Sequence, residues 1–334
     1  MEVIEEGLRK RFPNCKAIGL MARPTRNSTQ NDYQQKWMAF INYLYREKVS
    51  PGSLKDIHLI NFLKELFDNG KKPGTVNKYK TALTKPLSFL ANINAKIDPI
   101  TDLIRAMYIE KPNMPSEDPQ WNLNKVLKYI DEEMPTHPSE GDLLAKAAFL
   151  LLLASGMRIS ELHACMRTKD CCNFTRDNFL ELSHHPNFLA KNERPDKRWK
   201  FKVIKPLRTR SGRASKLCPV ESLKAYLKKS PRIKTGRLFR STHKDRKPLT
   251  KFQLSQEVCK LIIRADPNTR ARVHDVRKYA ASCSLATTMI TPAELSRAIG
   301  WSNTISFYRF YRTAIEPLNR EVSLPGPDPR DRYQ

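Results

Sequence analysis

Residues 147–162 read AAFLLLLASGMRISEL. The apolar run from Ala147 to Met157 spans about half of the ~20 residues needed to cross a bilayer, so it predicts a helix buried on all sides in a protein core, and no membrane segment. The helix is expected to start at about Ser139 and to stop near Gly156. Directly after that stop comes Arg158, a cation delivered to the edge of the core. It has two readings: a salt bridge to Glu161, three residues on, or a clamp for a phosphate, whose oxygens suit the planar fork of a guanidinium.

Two later stretches give the second reading weight. VHDVRKYAAS, residues 273–282, places His274 and Arg277 three apart on one face of a helix. Taken alone, such a pair describes an ordinary surface. About two dozen residues on, IGWSNTISFYRFY, residues 299–311, carries the indole donor of Trp301 after Gly300, then Tyr308 and Tyr311. The helix before it opens at Thr291-Pro292-Ala293-Glu294, which combines an N-cap, an N1 proline and a capping-box glutamate. Between Arg158 and His274 a short β interval is expected: Phe179, Leu180 and Leu182 in one strand, and Trp199, Phe201 and Val203 alternating with Lys200 and Lys202 in another. A further helix is expected near 122–133.

The N-terminal third is helical by pattern. Tyr33, Trp37, Phe40 and Leu44 share one face. A second helix is expected from Ser53, with Asp56 as a capping partner, carrying Ile57, Ile60, Leu63 and Phe67 and ending at Gly70; 75–90 and 100–108 follow. Three prolines in EKPNMPSEDP, residues 110–119, mark a linker. The division is therefore a basic flexible arm (1–23), a helical domain (24–110), a linker (111–117), a second domain (118–313) and a proline-containing tail (314–334).

Sixty Lys and Arg against thirty-four Asp and Glu leave a net charge of +26 on 334 residues. The surplus is spread along the chain, as expected of a folded protein with a polyanionic partner, DNA or RNA. Seven cysteines without paired spacing argue for free thiols in a reducing compartment. Cys165, Cys171, Cys172, His184 and His185 lack the spacing of a zinc site.

In their order and spacing, Arg158, His274, Arg277, Trp301 and a late tyrosine, with a basic strand pair between the first two, resemble the tyrosine recombinase (phage integrase) family. The wording of HDVRKYAAS and SRAIGWS is most similar to recombinases of the eukaryotic DIRS-like and Ngaro-like retroelements and Cryptons. The resemblance implies a mainly α fold with a small β-sheet, in which a helical core-binding domain and a mixed α/β catalytic domain clamp double-stranded DNA. It implies that Arg158 and Arg277 hold the scissile phosphate, that His274 and Trp301 support it and that Glu161 braces the first arginine. No cofactor and no metal is implied. The family's general acid is a lysine in the β-hairpin; Lys191 is the first candidate, Lys197 and Lys200 the alternatives. The commonest nucleophile position, nine residues after Trp301, holds Phe310, which has no hydroxyl. Tyr311 is therefore expected to attack, with Tyr308 as the alternative.

The function implied is cleavage and rejoining of DNA through a 3′-phosphotyrosine for a mobile element, by a homo-tetramer on two duplexes. A type IB topoisomerase-like activity and a DNA-binding regulator without catalysis are the other readings. Localisation would be nuclear in a eukaryote and cytoplasmic otherwise.

Overall fold

The computed structural model describes residues 2–22, 26–112, 118–191, 193, 202–230, 236–243, 245–287, 290–301, 303–305 and 308. It is mainly helical, with a small antiparallel sheet, and divides into two compact units, Met1–Pro115 and Ser116–Gln334.

In the first unit, helices α1 (Glu2–Arg11), α2 (Ile18–Met21), α3 (Asn27–Arg46), α4 (Asp56–Asp68), α5 (Pro73–Leu90) and α6 (Asp98–Glu110) follow in order. Phe40, Tyr43, Leu59, Phe62, Leu63, Val76, Leu83, Leu87, Ile100 and Ile104 form one core. Phe40 and Phe62 meet edge to face at 5.1 Å, the geometry that aromatic quadrupoles favour.

Two expectations are corrected here. Residues 2–22 are not a flexible arm: Leu8, Ile18 and Ala22 are buried, with Phe89 of α5 packed against them. Gly7 lies so close to Phe89 that a Cβ there would overlap the Phe89 Cβ and the near edge of its ring, which explains how a short helix of weak periodicity finds a seat. In α4 the cap is not Ser53, which ends a 3₁₀ turn over Pro51–Ser53; the helix begins at Asp56, and His58 Nδ1 accepts from the Lys55 backbone at 3.0 Å. The buried face is consequently Leu59, Phe62, Leu63 and Phe67, and Ile57 points outward.

The second unit is built around one helix. After α7 (Leu123–Lys128), which continues as a π turn over Tyr129–Glu133, comes α8 (Glu140–Ser155). Its N-cap Ser139 and Asp142 bond reciprocally, and it ends at Gly156 in the left-handed conformation, as read from the sequence. Every residue from Ala147 to Ser155 is buried, because α10 (Pro219–Lys229), α11 (Lys251–Ala265) and α12 (Val273–Thr287) all pack on it. Helix α9 (Ile159–Ala164) leads to a three-stranded antiparallel sheet, β1 (Cys172–Phe174), β2 (Leu180–Leu182) and β3 (Lys202–Ile204), in the order β1-β2-β3. Helix α13 (Pro292–Ile299) starts at Thr291, whose hydroxyl accepts from the Glu294 backbone, and stops at Gly300.

The alternation of β3 differs from the sequence expectation. Lys202 and Ile204 face inward and Val203 is only half-buried, so the apolar and basic positions have exchanged faces, as a one-residue phase change requires. Ile204 joins the core, and Lys202 is accommodated because its amino group donates to the Ala298 carbonyl. Trp199, Lys200 and Phe201 lie outside the described residues, as do Lys197 and Tyr311.

Candidate active site

Two pieces of chain far apart in sequence converge on one carboxylate. The turn after α8 is made by Gly156, with φ of +61°, and steadied by Ser155, whose hydroxyl donates to Leu151 O at 2.6 Å and accepts from Met157 N at 3.2 Å. That turn presents Arg158 at the start of α9. Glu161, one turn on, accepts from the Arg158 backbone at 2.8 Å and from Arg158 Nη1 at 2.8 Å. The salt-bridge reading of Arg158 is thus present in the structure.

It does not displace the other reading, because the same carboxylate also lies 3.7 Å from Nη1 of Arg277, which α12 delivers more than a hundred residues later. Arg277 is 2% exposed. A guanidinium buried this far requires partners: besides Glu161, its Nη2 donates to Ile299 O at 3.1 Å, and its Cζ lies 5.6 Å from the centre of the Trp301 ring. Trp301 is itself buried among Ala281, Ile290, Leu295 and Ile299.

His274 stands one turn before Arg277 on α12 and keeps an exposed edge. Enough protein surrounds the ring to disfavour its charged form. Burial lowers its pKa most, followed by the field of Arg277; Arg158 and Lys278 act the same way, and Asp275 opposes them. The fold therefore disfavours the imidazolium form. Two arginines against one glutamate leave an excess of one positive charge. Such a group is built to receive an anion, and two guanidinium forks oriented from two helices are suited to the nonbridging oxygens of a phosphodiester.

Of the residues expected from the sequence, Arg158, Glu161, Arg277 and Trp301 are therefore joined by contacts, with His274 inside their field. Lys191 is exposed in the segment between β2 and β3, where Glu193 pairs with the buried His184 at 3.1 Å and accepts from the Ala190 backbone. Tyr308 is 55% exposed; Tyr311, Lys197 and Lys200 lie outside the described residues. Sequence reading missed Lys202 and Lys278, which are 3% and 4% exposed. For Lys202 a signal existed: it shares parity with Ile204, the last apolar residue of its strand.

Comparison with known proteins adds to the geometry. Residues 121–315 match the phage integrase family. The fold is similar to that of a lambda integrase fragment solved as a dimer bound to a COC′ core site, with a TM-score of 0.56 at 14% identity over 91% of this chain and 96% of that one. It is also similar to a lambda integrase tetramer bound to a Holliday junction, with a TM-score of 0.53 at 14% identity over 87% and 74% of the two chains. The Tn1549 transposon integrase in complex with circular intermediate DNA gives a TM-score of 0.54 at 14% identity over 93% and 96%. No curated protein matches the chain in sequence.

Proposed function

The chain belongs to the phage integrase family, the tyrosine recombinases, and on that premise we propose that it cleaves and rejoins double-stranded DNA through a 3′-phosphotyrosine. The observation that carries the reading is the shared carboxylate: Glu161 holds Arg158 and Arg277 together, and His274 lies in their field.

In the proposed reaction the Tyr311 oxygen attacks the scissile phosphorus, its proton passing to solvent, as the bond to the 5′-oxygen breaks. That oxygen leaves as a hydroxyl and needs a proton, for which Lys191 is the first candidate, with Lys197 and Lys200 as alternatives. Arg158 and Arg277 offset charge growing on the nonbridging oxygens. A neutral His274 can accept or donate a hydrogen bond there without adding a third positive charge. The phosphotyrosine conserves the bond energy, so a 5′-hydroxyl from the same or another duplex can reverse the step.

The substrate is double-stranded DNA, which the net charge of +26 favours. The neighbours whose structures are described as a dimer on a core site and a tetramer on a Holliday junction support a homo-tetramer acting on two duplexes. Service to a mobile element, of the DIRS-like, Ngaro-like or Crypton kind that HDVRKYAAS and SRAIGWS resemble, completes the reading; in such a eukaryotic host the work would be nuclear.

The test uses a nicked suicide duplex, a second, intact one and a supercoiled plasmid. A protein-DNA adduct that survives denaturation, followed by joining to the second duplex, is expected. Relaxation of supercoils without joining would favour the topoisomerase-like reading, and binding without adduct on a broad substrate library would favour a regulator.

A further inference from the structure

An α-helix leaves its last four carbonyls without partners inside the helix. In α13 all four are taken. Ser296 O accepts from the Trp301 backbone at 2.8 Å and Arg297 O from the Gly300 backbone at 3.1 Å. Ile299 O accepts from Arg277 at 3.1 Å, and Ala298 O from Lys202 of β3. The first two are what a left-handed Gly300 cap supplies locally. The other two come from residues distant in sequence, and both are side chains that ordinarily carry positive charge, placed at the negative end of the helix dipole.

One of those two is the buried arginine of the candidate site. The second has no role in the proposed chemistry, yet it is 3% exposed, where an apolar side chain of similar length would pack at lower cost. The region is tightly built: a Cβ on Gly156, in the turn that presents Arg158, would come within 3.0 Å of Ile299 Cγ1. Trp301, two residues beyond Ile299, lies over Arg277. A shift of the α13 end would therefore disturb Arg277, Trp301 and the Arg158 turn together.

We propose that Lys202 is a positioning residue for strand cleavage: by holding the Ala298 carbonyl it fixes the end of α13 against β3, and thereby sets Arg277 and Trp301 and the start of the segment that leads to Tyr311. The inference rests on the recombinase reading above. It gives Lys202 no part in proton transfer, because its amino group is buried and directed to a carbonyl.

The experiment compares Lys202→Met, Lys202→Arg and wild type on a suicide duplex at saturating DNA, and on the same duplex with sulfur replacing the bridging 5′-oxygen. A thiolate leaves without protonation, so that substrate bypasses a missing proton donor. Lys202→Met is expected to bind DNA within about twofold of wild type but to form adduct at least about tenfold more slowly, on both substrates, since loss of placement alone can cost this much. Lys202→Arg, which keeps a cationic donor, is expected to recover most of the rate.

Wild-type adduct formation by Lys202→Met would overturn the inference. So would full rescue by the sulfur substrate, which would make Lys202 the proton donor. A fall in binding and thermal midpoint of both variants in step with the rate would reduce Lys202 to a fold-stabilising role. Absence of adduct with wild-type protein would instead count against the recombinase reading itself.

Discussion

The carboxylate of Glu161 lies 3.7 Å from the guanidinium of Arg277, and both side chains are almost wholly buried. The same carboxylate neutralises part of the charge of Arg158. Removing one partner from a buried ion pair costs about 3–5 kcal/mol, because the other charge is left uncompensated. Glu161→Ala should therefore lower the free energy of unfolding by about 3 kcal/mol or more, measured by urea denaturation. Glu161→Gln, which keeps the acceptor oxygen, should lose less. A Glu161→Gln variant as stable as wild type would show that the charge of Glu161 is not what holds the arginines.

Arg158 should separate binding from chemistry. Lysine keeps the charge but not the two-pronged donor geometry. Arg158→Lys should bind DNA within a few-fold of wild type and form adduct about 10²-fold more slowly, the scale seen when one oriented donor to a developing oxyanion is lost. A rate loss matched by an equal loss of affinity would make Arg158 an ordinary phosphate contact.

His274 carries a pH signature. Its pKa in the fold is lowered, first by burial and then by Arg277. Above about pH 6.5, the ordinary value, neither the folded nor the unfolded state binds the proton and the group is silent. Below that, the unfolded chain takes up the proton first, so stability falls as pH falls towards the folded-state pKa. Thermal unfolding of His274→Gln should therefore lose less stability between pH 7 and pH 5 than wild type does. His163, also lowered chiefly by burial, is present in both proteins and cancels in the comparison. Identical pH profiles would show that neither burial nor the arginines perturb His274 in the fold.

Trp301 has a packing role and a donor role that substitutions can part. It is buried beside Ile290, Leu295 and Ile299 and lies over Arg277. Trp301→Ala should cost about 3–5 kcal/mol, as large-to-small core changes do. Trp301→Phe retains most of the packing and removes the N–H, so it should stay near wild type in stability and lose adduct formation. Unchanged cleavage by the phenylalanine variant would assign the indole to packing alone.

What the sequence revealed follows the range of the physics involved. The limits of α8 and α13 are written locally: Ser139 with Asp142, Thr291 with Glu294, and a glycine at each end. The candidate residues Arg158, His274 and Arg277 could be picked out because they sit at fixed spacings in short boxes, and the structure brings both arginines to Glu161. Long-range compensation was not legible. Lys202 reads as a solvent-facing strand residue until the Ala298 carbonyl is placed opposite it. Residues 2–22 read as a loose arm because their burial depends on Phe89, far along the chain in α5. Glu161 read as a brace for Arg158; that it also meets Arg277 depends on how α12 packs against α8.

The most direct test of the central claim is the identity of the tyrosine in the covalent adduct. Wild type, Tyr311→Phe and Tyr308→Phe would each be incubated with a suicide duplex, and the denatured products resolved by size. The account predicts adduct with wild type and with Tyr308→Phe, and none with Tyr311→Phe while its DNA binding is intact. Adduct that persists in Tyr311→Phe would contradict the assigned nucleophile, and adduct lost only in Tyr308→Phe would move it to that residue.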